Sequence, residues 1–152
     1  MRAPYQTLSI PYKIVEGQPL FCVFHRAYPD IWQFISGGGE DGEQPLETAY
    51  REVWEESGIR ANEIIPLTTS GYVPAAYIGP YYRQGWPVPT YVIPEYTFAF
   101  ETAEDPVLSE EHTEYRWLPF QEARKLLRFD SNKVAMYEML CRIMGDNAPW
   151  DE

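Results

Sequence analysis

The sequence predicts an α/β protein in which helices cover a mixed β-sheet. Short apolar runs rich in strand-forming residues stand before and after one strongly amphipathic helix, and two helix-like segments follow near the end. That order is typical of a sheet with helices packed on its faces. With 152 residues, 45% of them hydrophobic, the chain suits a single domain over residues 1–152.

The predicted elements can be placed in order along the chain. Residues 20–24 form an apolar run bounded by Gly17-Gln18-Pro19, which predicts a central buried strand. Residues 31–35 predict a second strand that leads into a glycine-rich turn. The other predicted elements are a strand beginning at 63–67, strands over 91–100 and 115–118, a helix over 120–127, and a helix over about 132–144 with Ser131 as its N-cap.

One helix is predicted with both ends defined. Pro45 suits the first position of a helix, and Gly58 suits the position after the last turn. An apolar stripe at helical spacing is expected to pack on the sheet, which would leave the polar side chains on a different face. The stripe consists of Leu46, Ala49, Tyr50 and Val53. Farther on, residues 70–90 are rich in Gly, Pro and aromatic residues and predict an ordered loop or lid insertion.

Charge and composition exclude some classes of partner. A formal net charge of −11 argues against tight binding of nucleic acid, because affinity for the phosphate backbone comes mainly from Lys and Arg. A small anionic substrate remains compatible, since a bound cation and a few basic residues can make one pocket positive. No apolar run approaches the ~20 residues of a membrane span, so we expect a cytoplasmic protein. Cys22 and Cys141 lack metal-type spacing and predict buried free thiols.

Three carboxylates close together on the amphipathic helix indicate a cation site. Glu52, Glu55 and Glu56 stand at i, i+3 and i+4 and therefore share a face. They also lie toward the helix C-terminus, where the macrodipole disfavours anions. A hard divalent cation would turn this repulsion into binding energy. We expect Mg²⁺, with Mn²⁺ as the alternative.

The spacing within residues 37–59 matches a known pattern at every specified position. Gly37, Glu43, Arg51-Glu52, Glu55-Glu56 and Gly58-Ile59 fit G-x5-E-x7-R-E-U-x-E-E-x-G-U, where U is a bulky aliphatic residue. The segment therefore resembles the Nudix box of hydrolases that act on nucleoside diphosphate-linked compounds. This resemblance implies an α/β/α sandwich around a mixed sheet, covering residues from about 8 to 144.

The resemblance also implies roles for residues. Glu52, Glu55 and Glu56 would be metal ligands, with the backbone carbonyl of Gly37 as a further ligand, and one of these carboxylates, or a further one from a distant loop, would serve as the catalytic base. Arg51 is interpreted as orienting these groups through an ion pair with Glu43, or as half of a salt bridge that only stabilises the fold.

A second acidic segment precedes the last predicted strand. Glu111, followed by His112, matches the place where family members carry an additional metal-binding or basic glutamate, with Glu110 as the alternative. An acidic surface loop is the competing interpretation. His112 is interpreted as structural.

Substrate choice is less sharply indicated. Residues 29–33 and the Glu111-His112 pair resemble dihydroneopterin triphosphate pyrophosphohydrolases, which implies cleavage of a nucleoside triphosphate-like compound, including dATP, to a monophosphate and pyrophosphate. The alternatives are a hydrolase of dinucleoside polyphosphates, ADP-ribose or nucleotide sugars, and a non-catalytic Nudix module that senses a nucleotide. Tyr77 and Trp86 are candidates for stacking on a ring, or for packing a lid or homodimer interface; Arg26 and Arg83 are candidate phosphate contacts.

Overall fold

The computed structural model describes residues 1–151 and contains seven strands and three helices. The strands are β1 Arg2–Val15, β2 Gln18–Arg26, β3 Ile31–Gln33, β4 Ile35–Glu40, β5 Ile65–Pro74, β6 Val92–Glu101 and β7 Glu114–Leu118. The helices are α1 Pro45–Ser57, α2 Phe120–Leu126 and α3 Asp130–Met144. Two short 3₁₀ turns, Ala75–Tyr77 and Pro80–Arg83, lie between β5 and β6.

All seven strands join one mixed sheet. Its main order is β3-β2-β1-β6-β5, while β4 pairs with the first half of β1 and β7 pairs with β2. Only the β1–β6 pair is parallel among the pairs within residues 1–151. β4 and β2 pair with the same edge of β1, β4 along its first part and β2 along its last residues. The sheet therefore divides between β4 and β2 and leaves a gap next to α1.

Helices cover both faces of this sheet. On one face, Ala49 and Val53 of α1 pack in a buried cluster with Phe24, Ile35 and Phe98. A larger cluster on the other face joins side chains of β1, β2 and β6 to α2 and α3. Alternation of side chains along the strands separates the two clusters. The predicted α/β/α sandwich with a mixed sheet is therefore confirmed.

The glycine-rich segment is a strand rather than the expected turn. Residues Gly37 to Gly39 belong to β4, which pairs with β1, a strand that the sequence analysis did not predict. A Cβ on Gly38 would lie 2.2 Å from Nε of Arg2, and one on Gly39 would lie 2.1 Å from Cζ of Tyr5. Glycine at these positions permits close contact with β1 side chains. A run of glycines is also typical of a turn, so the sequence predicted a turn here.

The predicted boundaries of α1 are correct, but the predicted stripe is only half right. The helix runs from Pro45 to Ser57, and Gly58 follows it with φ of 66°. Ala49 and Val53 are buried, whereas Leu46 and Tyr50 are 41% and 38% exposed. The buried side also includes Thr48, Glu52, Glu56 and Ser57. Core and acidic side chains thus share one side of the helix, because the sheet divides beneath it.

Three smaller expectations also change. α3 begins at Asp130 with Phe129 in the N-cap position, so Ser131 is not the N-cap. The insertion at 70–90 begins inside β5, which continues to Pro74 and pairs with β6. Cys22 is buried as expected, whereas Cys141 is only partly buried, and both are free thiols. None of the described helices has the length and apolar character needed to cross a membrane.

The burial of α3 leads to a stability prediction. The Met136 side chain is 0% exposed, whereas Met144, on the same helix, is 56% exposed. Replacing Met136 with Ala should lower the free energy of unfolding by about 2–5 kcal/mol through lost contacts and a cavity. Urea unfolding would measure this, with Met144→Ala as the control. Equal losses in the two variants would contradict the packing of α3 on the sheet.

Candidate active site

A cavity of about 660 Å³ opens where the sheet divides. Its walls come from β1, β3, β4, the inner side of α1, the ends of β2 and β5, β6, the 3₁₀ turns, the loop before β7 and the beginning of α3. Glu52, Glu55, Glu56 and Glu111 all line it. The carboxylates predicted from two distant segments of the sequence therefore meet in one cavity.

Arg51 organises the α1 side of this cavity. Its Nε and Nη2 donate to the Glu43 carboxylate at 2.7 and 2.9 Å, and Nη2 also donates to the carbonyl of Gly38 at 2.9 Å. Nη1 donates to Glu52 at 2.8 Å and to Glu55 at 3.2 Å. The planar guanidinium thus uses all five of its N–H donors. The expected ion pair with Glu43 is present.

Glu43 is held as a carboxylate. The hydrogen bonds from Arg51 lower the pKa of Glu43 to about 2, with further help from the backbone N–H of Glu40 and the hydroxyl of Thr48. Because this pKa lies below its ordinary value, the resulting stabilisation is complete above about pH 4.5 and is lost as pH falls toward 2. The connection between β4 and α1 is therefore fixed throughout the neutral range.

Glu52 lies against β4. A Cβ on Gly37 would come within 2.1 Å of Cδ of Glu52, so only glycine leaves room for this carboxyl group. Burial raises the pKa of Glu52 to about 7, although the hydrogen bond from Arg51 opposes the shift. A buried carboxyl group packed against a glycine of β4 fits a cation that takes oxygen ligands.

Glu56 meets the loop that precedes β7. Its Oε2 accepts a hydrogen bond from the Ser109 hydroxyl at 3.0 Å. The ligand atoms of Glu56, Glu111 and His112 all lie within 4.8 Å of one another. Burial, followed by the nearby Glu111, raises the pKa of Glu56 to about 8. These carboxylates repel one another without a cation between them.

His112 is buried next to Glu56. The amide of Gln33 donates to Nε2 of His112 at 3.2 Å, so the neutral ring carries its hydrogen on Nδ1. Nδ1 lies 3.5 Å from Oε2 of Glu56. Burial lowers the pKa of His112, which favours this neutral ring. Nδ1 makes no hydrogen bond among residues 1–151, so the imidazole packs beside Glu56 without bonding to it.

Two arginines bring positive charge to the cavity. Arg26 lines it and forms an ion pair with Glu111 at 3.2 Å. Arg2 also lines it and lies over Gly38. The Nε atoms of both are buried without a hydrogen-bond partner among the described residues. Guanidinium groups with free donors are suited to phosphate. Arg2 was missed because nothing in the pattern of the first residues marks it as functional.

The aromatic and basic candidates from the insertion separate into two groups. Tyr77 lines the cavity and packs edge-on against Phe129, with ring centroids 5.8 Å apart. Trp86 is only 7% exposed, belongs to a small apolar cluster and donates to the carbonyl of Arg2. Nε of Arg83 donates to the carbonyl of Ile78. Neither Trp86 nor Arg83 is among the described residues that line the cavity.

The far end of the cavity contains a carboxyl group that the sequence analysis did not single out. Glu95 of β6 is 2% exposed and lines the cavity together with Gln6 and Ser131. Burial raises the pKa of Glu95. The alternation of buried residues along β6 could have placed it on the covered face, but its partner strand β1 was not predicted.

The match to a protein family covers most of the chain. A family model described as the NUDIX domain matches residues 14–140. An RNA pyrophosphohydrolase from Caulobacter vibrioides is 32% identical over 111 residues, which are 68% of this chain and 64% of that protein. The chain therefore spans less than two thirds of that relative. A dihydroneopterin triphosphate diphosphatase from Haemophilus influenzae is 30% identical over 115 residues, 74% of this chain and 72% of that protein.

Solved structures agree with this match. A NUDIX hydrolase structure from Listeria monocytogenes superimposes with a TM-score of 0.83 at 37% identity and covers 95% of this chain and 97% of that one. The E. coli dihydroneopterin triphosphate pyrophosphohydrolase superimposes with a TM-score of 0.75 at 24% identity, covering 93% of this chain and 97% of that one, which shows likeness of fold. The family model, the relatives and the fold confirm the prediction from residues 37–59: the chain belongs to the Nudix hydrolase family.

Proposed function

We propose that this chain is a Mg²⁺-dependent pyrophosphohydrolase that cleaves a nucleoside triphosphate-like substrate to a monophosphate and pyrophosphate. One arrangement carries the proposal: carboxylates from α1 and from the loop before β7 share a cavity with two guanidinium groups whose Nε atoms have no partner among residues 1–151. Carboxylates that hold a cation and arginines that hold phosphate are what phosphoanhydride hydrolysis needs.

The donor set fits a hard divalent cation. Glu52, Glu56 and Glu111 offer carboxylate oxygens in the cavity, and burial raises the pKa of the first two toward and above neutrality. Such crowded carboxylates gain most from a divalent ion, and oxygen ligands suit Mg²⁺, with Mn²⁺ as the alternative. The Gly37 carbonyl and Glu55, at the solvent-exposed rim, are further ligands in this proposal. When bound, the ion would neutralise phosphoryl oxygens and acidify a water molecule.

The remaining steps fall to the side chains of this chain. Arg2 and Arg26 bind phosphoryl oxygens through their guanidinium groups. Arg51 holds Glu52 and Glu55 in place and does not reach the substrate. Glu111 accepts the proton of the attacking water, because it faces α1 from a separate loop and Arg26, at 3.2 Å, holds its carboxylate in place.

The substrate ring lies beyond the phosphates in this proposal. Tyr77 and Phe129 form an aromatic wall of the same cavity, suited to stacking on a heterocycle. Nucleoside triphosphates and dihydroneopterin triphosphate share this plan of ring and phosphates, and one relative is named for the latter. We place the reaction in the cytoplasm, where such triphosphates occur.

A second candidate substrate is the 5′-triphosphate end of RNA. The relatives named RNA pyrophosphohydrolase favour it, whereas the net charge of −11 disfavours contacts with the RNA backbone. Chromatographic analysis of the products from nucleoside triphosphates, dihydroneopterin triphosphate, triphosphorylated RNA, ADP-ribose and dinucleoside polyphosphates would distinguish these classes, because the triphosphates give a monophosphate and pyrophosphate whereas the last two give two phosphorylated products and no pyrophosphate. Cleavage of none of them, with Mg²⁺ present, would favour a nucleotide-sensing module.

The metal assignment predicts that Glu56→Gln lowers turnover by orders of magnitude. The amide keeps the shape of the side chain but lacks the charge that a hard cation requires. Steady-state kinetics at saturating Mg²⁺ would measure the loss, and excess EDTA should abolish activity of the unmodified protein. Turnover close to that of the unmodified chain in either experiment would refute the assignment.

The proposed base predicts unequal effects of two neighbouring substitutions. Glu111→Gln should lower kcat by about 100-fold or more, the range expected for loss of a general base. Glu110→Gln, at an exposed position next to it, should change kcat little. Both variants would be assayed at saturating substrate and Mg²⁺. Small and equal effects would indicate that this loop is an acidic surface turn without a catalytic role.

The raised pKa values predict how the metal-free protein responds to pH. The carboxyl groups of Glu52 and Glu56 have pKa values of about 7 and about 8 in the folded chain, above the ordinary value of 4.5. The folded state thus binds more protons than the unfolded state between these limits, so Tm in EDTA should fall as pH rises from 5 to 8. Added Mg²⁺ should raise Tm more at pH 8 than at pH 5. An increase in Tm with Mg²⁺ that is the same at pH 5 and at pH 8 would contradict this prediction.

A further inference from the structure

Glu95 has a buried carboxyl oxygen that makes no hydrogen bond. Its carboxyl group is 2% exposed, Oε1 lacks a hydrogen-bond partner among residues 1–151, and the Ser131 hydroxyl, close enough to lower the pKa of Glu95 against the larger effect of burial, does not meet hydrogen-bond geometry with it. Within residues 1–151, no cationic side chain forms an ion pair with Glu95. Leaving a buried carboxyl oxygen unpaired is costly, and native proteins rarely do so without a ligand or a functional reason.

The other carboxyl oxygen is firmly held. Gln6 of β1 donates from Nε2 to Oε2 of Glu95 at 2.6 Å. Arg2 in turn donates from Nη2 to Oε1 of Gln6 at 3.4 Å. These two linked hydrogen bonds fix the orientation of the Glu95 carboxyl plane. It also leaves Oε1 as the free acceptor in the cavity wall.

The position of Glu95 matches the heterocyclic end of a substrate. Gly38, Gln6 and Glu95 lie in register across β4, β1 and β6, so Glu95 stands two strand spacings, or about 10 Å, from the strand that carries Gly37 beside Glu52. Tyr77 and Phe129 also line this cavity. A ring stacked there would present its edge to Glu95 while its phosphates lay near Arg2 and α1.

We propose that Glu95 selects the substrate by accepting hydrogen bonds from an amidine edge, a ring N–H beside an exocyclic amino group. Guanine, a 2-amino-6-oxopurine, and pterin, a 2-amino-4-oxopteridine, both carry this edge. Adenine instead presents a ring nitrogen acceptor, which the carboxylate oxygen would repel. The inference rests on the proposed function for the identity of the triphosphate, but the carboxyl group and its free oxygen are independent of catalysis.

Three nucleotides whose bases differ in single hydrogen-bond donors test whether Glu95 recognises each donor. GTP presents both donors, ITP lacks the 2-amino group, and ATP replaces the ring donor with an acceptor. The unmodified chain should show kcat/KM for GTP about tenfold or more above that for ITP, and higher still above ATP, because each lost bond to a charged acceptor weakens binding by about that factor. Equal values for GTP and ITP, or a preference for ATP, would overturn the proposal.

Substitution of Glu95 should change this order. Glu95→Gln places an amide N–H₂ where Oε1 was, which would meet the acceptor of adenine and oppose the donors of guanine. The ratio of kcat/KM for GTP to that for ATP should fall by about 100-fold, mainly through KM, because contacts far from the phosphates act equally in ground and transition states. Glu101→Gln, exposed at the end of the same strand, is the control. An unchanged ratio in Glu95→Gln would refute the role of Glu95.

Binding of monophosphates separates this inference from the proposed function. Calorimetry with GMP, IMP and AMP, without Mg²⁺, should give the same order in the unmodified chain and its reversal in Glu95→Gln. If no triphosphate is hydrolysed but GMP binding depends on Glu95, the proposed function fails and the inference stands. If triphosphates are hydrolysed without discrimination between GMP and AMP, the inference fails and the proposed function stands. Absence of both activities would overturn both.

Discussion

The geometry of the site depends on one guanidinium group. Arg51 donates to Glu43, Glu52, Glu55 and the Gly38 carbonyl, and so ties α1 both to the loop before it and to β4. A lysine could not do this, because its three donors leave a single point charge and cannot form a planar fork. Since Glu43 stays ionised well below neutral pH, the arrangement is stable wherever the site would work.

Two of the proposed metal ligands, Glu52 and Glu56, are carboxyl groups that Arg51 does not fully neutralise. Glu56 has no arginine partner and instead accepts from Ser109, with the neutral His112 beside it. Glu52 shares one N–H with the guanidinium but remains buried. Burial without full compensation raises the pKa of both. The fold thus tolerates local instability on the inner side of α1, which a bound cation would relieve.

The sequence predicted what is local and missed what is long-range. Segment 37–59 carries its spacing within one strand and one helix, so α1, its C-terminal Gly58 and its carboxylates could be placed without the fold. β1 has two prolines and mixed polarity, and its partners β4 and β6 are far away in sequence, so no local pattern marked it. Arg2, Gln6 and Glu95 depend on that strand and were missed with it. The stripe on α1 was half right because the gap in the sheet beneath it is not encoded locally.

Trp86 of the insertion acts on the site through β1 rather than by stacking on a substrate. It was a candidate for stacking on a ring or for packing a lid or homodimer interface, and it is buried with Ala75, Ile78 and Ile93, where its Nε1 donates to the carbonyl of Arg2. This bond holds the beginning of β1, where the Arg2 side chain lies between Gly38 and Gln6. An indole that fixes the backbone in this way also fixes Arg2, which would bind phosphate in the proposed function, and, through Gln6, Glu95, which would meet the ring in our further inference. The aromatic and proline-rich composition of the segment therefore reflects a rigid support, since a mobile lid would not fix Arg2.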